Sequence, residues 1–175
     1  MRIDWVDHDL DGRVIRSSLT EAEAAELARL AEGACVVEIG SAYGFSTVHI
    51  AKAAKWVFSI DPHEALTSYE ALIANLRHFE VSGRVVAACL PSSVALPLFR
   101  SGGFDLAFID GDHTELEVIY DIEGCLRLLK PGGVLAIHDY GEISCPDVKT
   151  VVDEMGLVPT SIVDTLFVTT KGRHV

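Results

Sequence analysis

This chain has no apolar run long enough to cross a membrane. It opens on Met1-Arg2-Ile3-Asp4-Trp5-Val6-Asp7, with acids where a secretory signal would carry an unbroken apolar stretch. The cytoplasm is the expected compartment, and no membrane partner is expected. Basic residues are scarce: 14 Lys and Arg stand against 26 Asp and Glu, a formal net charge of −12 at pH 7. Such an acidic surface repels phosphate backbones and anionic headgroups, so no nucleic-acid partner is expected. A small anionic ligand is still allowed, because binding sites are local. Cysteine is sparse and wrongly spaced for a zinc knuckle, since Cys35, Cys89, Cys125 and Cys145 form no C-x-x-C pair. The first three lie in apolar segments and read as small hydrophobes, and Cys145, just before Pro146, reads as a loop residue. Repeats, low-complexity tracts and an interdomain linker are also missing. What is present is 175 residues, 49% hydrophobic, enough for one domain with a sizeable core.

The rest of the chain is organised around Val36-Val37-Glu38-Ile39-Gly40-Ser41-Ala42-Tyr43-Gly44-Phe45-Ser46. Residues 35–39 are a short apolar run broken by one acid. Gly40 and Gly44 follow, and then Val48, Ile50, Ala51 and Ala54 fall at helical spacing. A buried strand that feeds a helix through glycines opens a βαβ nucleotide-binding unit. Glycine is suited to the turn because, lacking Cβ, it bends sharply and lets a ligand come close. The helix start also offers unpaired N–H groups to a carboxylate or phosphate.

Similar units fill the chain. Thr20-Glu21-Ala22-Glu23 reads as a capping box that opens a helix ended by Gly33. Further strands are expected at 56–60, 84–89, 104–109 and 134–137, with helices at about 64–79, 114–129 and 147–155. Pro97 leaves room only for a short or kinked helix. Thr114-Glu115-Leu116-Glu117 reads as a second capping box, and Lys130-Pro131-Gly132-Gly133 as a turn. Two β-rich pieces, 160–163 and 166–170, are too close for a crossover helix and predict an antiparallel pair. The expected fold is α/β: a Rossmann-like, doubly wound, mostly parallel sheet with helices on both faces and a C-terminal antiparallel hairpin. Residues 1–18 look aperiodic and are expected to form an arm or partial lid, with 19–175 as the single domain.

In such sheets the ligand lies beyond the carboxyl ends of the strands. Here those ends carry Glu38 and Gly40, Asp61, Ser92, Asp110-Gly111-Asp112-His113, and His138-Asp139. Asp61, about twenty residues after the glycine turn, stands where a carboxylate accepts both hydroxyls of an adenosine ribose. That position suits S-adenosylmethionine and NAD alike, and an Asp-Pro pair also forms turns. Asp110, His138 and Asp139 sit at the ends of strands expected to be neighbours. Two carboxylates and an imidazole can hold a hard divalent cation such as Mg2+. Asp112 suits either a ligand or a cap for the next helix. His113 is either a general base, its pKa near the working pH, or a solvated loop histidine.

The combination of Glu38-Ile39-Gly40-Ser41-Ala42-Tyr43-Gly44-Phe45-Ser46-Thr47, Phe108-Ile109-Asp110-Gly111-Asp112-His113, Leu129-Lys130-Pro131-Gly132-Gly133 and Ile137-His138-Asp139 resembles the small class I S-adenosylmethionine-dependent methyltransferases. It is most similar to the group related to catechol and macrolide-sugar O-methyltransferases, over roughly residues 20–170. The resemblance implies an S-adenosyl-L-methionine cofactor whose methionine part is lined by Glu38, Gly40, Ser41 and Gly44, with Ser46 at its carboxylate. It places Asp61 on the ribose and Ser92 at the adenine edge. Asp110 falls near the cofactor amine and, with His138 and Asp139, at the metal, while His113 falls where relatives place a Lys or His base. Ala42 replaces the middle glycine of the family loop, and His138 replaces an acid. Many relatives carry extra N-terminal helices over the substrate. Here only about eighteen residues precede the first capped helix, so the wall is thin or a homodimer partner supplies it. The implied reaction is methyl transfer to a hydroxyl of a small-molecule acceptor. Two rival readings are a non-catalytic S-adenosylmethionine or nucleoside-binding module and an NAD-dependent oxidoreductase.

Overall fold

The computed structural model describes residues 5–65 and 67–172. Residues 1–4 of the expected arm, Leu66, and residues 173–175 of the expected domain lie outside the described residues. The stretch before the first helix is a hairpin rather than an aperiodic arm. Strands β1 (Val6–Leu10) and β2 (Arg13–Ser17) pair antiparallel. Asp11 and Gly12 join them with φ of 51° and 79°. Positive φ at both central residues is the turn whose twist matches paired strands, and Asp-Gly is one of its preferred sequences. The strands are mostly exposed, so little hydrophobic alternation announces them; Ile15 alone of their apolar residues is fully buried.

Helix α1 (Glu21–Leu30) begins with the expected capping box: Glu23 N–H donates to Thr20 Oγ1 at 3.2 Å, and Thr20 N–H donates to Glu23 Oε2 at 2.8 Å. The chain then alternates through β3 (Cys35–Ile39), α2 (Phe45–Ala53), β4 (Trp56–Asp61), α3 (Ser68–His78), β5 (Val85–Cys89) and α4 (Ser92–Ala95). Pro97 lies in a 3-10 turn after α4, as its missing N–H requires. Next come β6 (Phe104–Ile109), α5 (Glu115–Leu128), β7 (Leu129–Ile137), α6 (Pro146–Glu154), β8 (Ser161–Val163) and β9 (Leu166–Thr170).

Seven strands form one sheet in the order β5-β4-β3-β6-β7-β9-β8. The first five are parallel, and β9 and β8 add the antiparallel pair expected at the C-terminus. Strand alternation divides the core. Val36, Leu106 and Phe108 pack on one face with Leu27, Val48 and Leu72 of the first three helices. Val37, Ala107 and Ile109 pack on the other with Ile122 of α5 and Val148 of α6. Among the described residues no helix is long and apolar enough to cross a membrane.

Several local expectations need correction. The second capping box does not form: the Thr114 side chain makes no cap bond, and Asp112 Oδ1 instead accepts the Thr114 N–H at 2.7 Å. Helix α3 starts at Ser68 rather than near 64: His63 and Thr67 have φ of 53° and 75°, which no right-handed helix accommodates, and the Asp61 carboxylate accepts His63 N–H at 2.6 Å. Residues 130–133, expected as a turn between helix and strand, lie within the span of β7 as an irregularity: the ladder to β6 passes from Leu129 to Val134, and Gly132 has φ 75°. Cys89 is exposed on the edge strand, not packed as a hydrophobe, whereas Cys145 is buried beside α6 rather than left in an open loop.

Candidate active site

The sheet order places β3 at the point where chain connections diverge, one way to β4 and the other to β6. A crevice opens there beyond the strand ends, the usual ligand position in such sheets. It is a cavity of about 450 Å³, lined by the loop Gly40-Ser41-Ala42, by Asp61, by Ser92 and by Asp110. Its volume suits a small organic ligand or cofactor.

Gly40 is required by the protein itself. Its φ is +84°, and a Cβ would stand 1.8 Å from the Asp110 carbonyl oxygen. Gly40 lines the cavity as expected, and its missing Cβ also allows close contact between the ends of β3 and β6. Gly44, expected to line the ligand, is not among the cavity residues; a Cβ there would meet Leu72 Cδ1 at 2.6 Å. Glu38 is likewise not at the cavity wall. It is fully buried beneath the loop, where Ser46 Oγ and Thr47 Oγ1 donate to its two carboxylate oxygens at 2.6 and 2.7 Å. Burial pushes its carboxyl up to about 7, against the pull of those two hydrogen bonds. Glu38 thus anchors the first turn of α2 through Ser46, which also lines the cavity.

Ser41 faces the cavity, and its buried hydroxyl has no hydrogen-bond partner among the described residues. Ala42, at φ 41°, takes the left-handed conformation that glycine adopts freely and a residue with a Cβ adopts at a cost. Its N–H donates to Asp61 Oδ2 at 2.8 Å. Asp61 is therefore both turn former and cavity residue: two backbone N–H groups fix its carboxylate while lone pairs remain for a ligand.

At the other side of the crevice Asp110, His113, His138 and Asp139 converge. His138 Nδ1 lies 3.2 Å from both Asp110 Oδ1 and Asp139 Oδ2, and its Nε2 lies 3.2 Å from Glu23 Oε2. His113 Nε2 lies 2.8 Å from Asp139 Oδ2 and 3.8 Å from Asp110 Oδ1. All five side chains are largely withdrawn from solvent. Burial disfavours the imidazolium of each histidine, but the carboxylates outweigh it: His138 is held charged far above neutrality, and His113 is raised to about 10. The same pairs hold Asp110 and Asp139 below the usual carboxylate range despite burial. His113 is therefore not a solvated loop histidine.

The donor set fits a divalent cation. Two carboxylate oxygens and an imidazole nitrogen lie within 4.8 Å of one another, and three lone-pair groups pointed together need a proton or a metal between them. Glu23, on the far nitrogen of His138, is the outer carboxylate that commonly orients a metal-ligating histidine. Sequence reasoning saw Glu23 only as a helix cap; nothing local shows that it also takes the Thr165 N–H at 2.9 Å and faces His138. A smaller cavity of about 220 Å³ lies on this side, lined by Ser18, Thr20, Glu142 and Ser144 together with Glu23, His138 and Asp139. Ser17, Ser18 and Leu19 at the end of the hairpin, with Trp5 before it, help wall the main cavity.

Comparison with known proteins follows the same lines. A family model described as a methyltransferase domain matches residues 37–140, more than half of the chain. The chain is 32% identical over 146 residues to a catechol O-methyltransferase of Mycobacterium tuberculosis (strain ATCC 25618 / H37Rv), covering 74% of this chain and 66% of that relative. It thus spans slightly less than two thirds of the relative's length. Among solved structures, the cofactor-bound protein Rv0187 from MTB matches with a TM-score of 0.76 at 24% identity, over 90% of this chain and 82% of that one. The O-methyltransferase TomG from Streptomyces achromogenes, solved in complex with SAM, matches with a TM-score of 0.73 at 19% identity, over 88% and 82%. These two likenesses are likenesses of fold.

Proposed function

Because this chain belongs to the methyltransferase domain family, we propose that it is an S-adenosylmethionine-dependent O-methyltransferase. It transfers a methyl group to a hydroxyl of a small molecule, with help from Mg2+ or another divalent cation. The observation that carries this reading is the placement of an acid and imidazole cluster between two cavities. The larger cavity holds Ser41 and Asp61; the smaller is lined by hydroxyls and acids. Family membership displaces the NAD-dependent oxidoreductase that the position of Asp61 alone left open.

In this reading the cofactor supplies an activated methyl group on sulfur. Asp61, pinned by two backbone N–H groups, accepts the ribose hydroxyls, and Ser92 lies at the adenine edge. The unpartnered Ser41 hydroxyl serves the amino-acid end. Glu38 touches no ligand; it holds Ser46 and Thr47, and with them the helix start, in place. Asp110, His138 and Asp139 hold the cation, which when bound lowers the pKa of an acceptor hydroxyl and orients it. His113, 2.8 Å from Asp139, is the imidazole beside the acceptor hydroxyl, there to take its proton or to donate a hydrogen bond to the charge developing on its oxygen. The hairpin serves as a partial lid over the cofactor, and positioning of the two reactants supplies much of the rate.

One observation favours a second reading, a non-catalytic nucleoside-binding module. The Nδ1 proton of His138, 3.2 Å from both carboxylates, can satisfy them without a cation. Calorimetric binding of S-adenosylhomocysteine, with and without Mg2+, on wild type and Asp61→Ala separates these readings when joined to methyl-transfer assays on catechols and sugars. The enzyme reading expects micromolar binding lost in the variant and cation-dependent turnover. Binding without turnover on any acceptor supports the module, and no binding under either condition overturns both.

A further inference from the structure

A second donor set stands beside the first and ends on sulfur. His113 follows β6, Asp139 follows β7, and Cys145 stands at the N-cap of α6. An imidazole nitrogen, a carboxylate oxygen and the Cys145 Sγ lie within 4.8 Å of one another. The three residues are 9%, 7% and 1% exposed. His113 Nε2 is 2.8 Å from Asp139 Oδ2, yet it is buried and makes no aligned hydrogen bond among the described residues. A buried polar atom left in that state calls for another partner, and an ion between the donors supplies one. Asp139 has φ 60°, a left-handed backbone that costs a residue with a Cβ and persists where its surroundings enforce it. The small cavity, lined by Asp139, Glu142, Ser144 and Cys145, gives an ion its way in.

The donor types choose the ion. Mg2+ takes oxygen ligands and leaves thiols alone, whereas Zn2+ binds nitrogen, sulfur and carboxylate oxygen together. Ligands of a tetrahedral zinc stand about 3.3–3.8 Å apart, so side-chain movement of roughly 1 Å closes this set. We propose that His113, Asp139 and Cys145 form a site for a thiophilic divalent ion of the Zn2+ type, with water from the small cavity as the fourth ligand. As the metal–nitrogen and metal–sulfur bonds form, the Nε2 and Sγ protons leave to the buffer, and the carboxylate adds without losing one. Binding itself does not depend on the methyltransferase reading. Its consequence does rest on that reading: an ion here takes His113 from the acceptor hydroxyl and Asp139 from the first donor set, so Zn2+ inhibits the methyl transfer that the first set's cation supports.

Co2+ reports this set, because cobalt bound to a thiolate gives an intense near-ultraviolet charge-transfer band that nitrogen and oxygen ligands do not. Reduced wild type titrated with Co2+ should show the band, and Zn2+ but not excess Mg2+ should remove it. Cys145→Ser should lose the band, and His113→Asn should weaken the Co2+ binding that the band reports by at least about tenfold. A wild type that shows no thiolate band overturns the inference without any variant; if calorimetry still finds Co2+ bound, the first donor set stands and only the second falls. A band that persists in Cys145→Ser comes from another cysteine and also overturns the inference. So does unweakened Co2+ binding by a His113→Asn variant whose thermal melt shows it folded.

Discussion

Raising the pH should tighten divalent-cation binding at the Asp110, His138 and Asp139 cluster by one proton's worth. His138 Nδ1 sits 3.2 Å from a carboxylate oxygen of each aspartate, and Nε2 faces Glu23 at the same distance. Three acids around one buried imidazole hold it charged far above neutrality, although burial opposes this. An imidazole binds metal through a lone pair, so the Nδ1 proton must leave as the cation enters. While pH is below the pKa of that imidazolium, each cation bound releases one proton, and apparent affinity rises about tenfold per pH unit. Between about pH 6.5 and 8.5 the dissociation constant for Mn2+ should fall roughly hundredfold, or about 2.7 kcal/mol. Titration calorimetry in two buffers of different ionisation heat counts the released proton directly. In His138→Asn the pH slope should vanish. A flat pH dependence in wild type would show that the carboxylates bind the ion without His138, and absence of any binding heat would remove the metal from the mechanism.

Two further outcomes follow from the loop. Glu38 is fully buried with its carboxyl raised from 4.5 to about 7, so its contribution to stability is present below 4.5 and lost as pH rises through 7. That loss is roughly 3 kcal/mol, or on the order of 10 °C in melting temperature for a domain of this size. Glu38→Gln keeps the neutral shape, so its melting curve should gain on wild type steadily across this window; parallel curves would refute the assignment. Gly40→Ala must place a methyl 1.8 Å from the Asp110 carbonyl at φ +84°. Left-handed backbone costs about 1–2 kcal/mol and overpacking about 1–3 more, so the melting point should fall by roughly 5–15 °C. A variant melting within about 2 °C of wild type would mean that β3 and β6 part easily.

The order of elements was legible because each strand and helix carries its own period, and those periods do not depend on distant residues. The capping box at Thr20, the β3 turn at Gly40 and the terminal antiparallel pair are local patterns of this kind. The hairpin was missed although Asp11-Gly12 is a hairpin signal, because its exposed strands give no apolar alternation.

What the sequence by itself determined is the alternation of strands and helices and the set of polar residues at strand ends, because propensity, pattern and turn chemistry act within a few residues. Only the tertiary structure decided what those polar residues do. Glu38 turned inward to Ser46 and Thr47, Gly40 made room for Asp110, and Glu23, 115 residues from His138 along the chain, became the third acid around that imidazole. The charge state of His113 was decided there too, since a pKa depends on burial and on which charges arrive from other elements. Proximity across the sheet is a property of the fold, and no local stretch of sequence carries it.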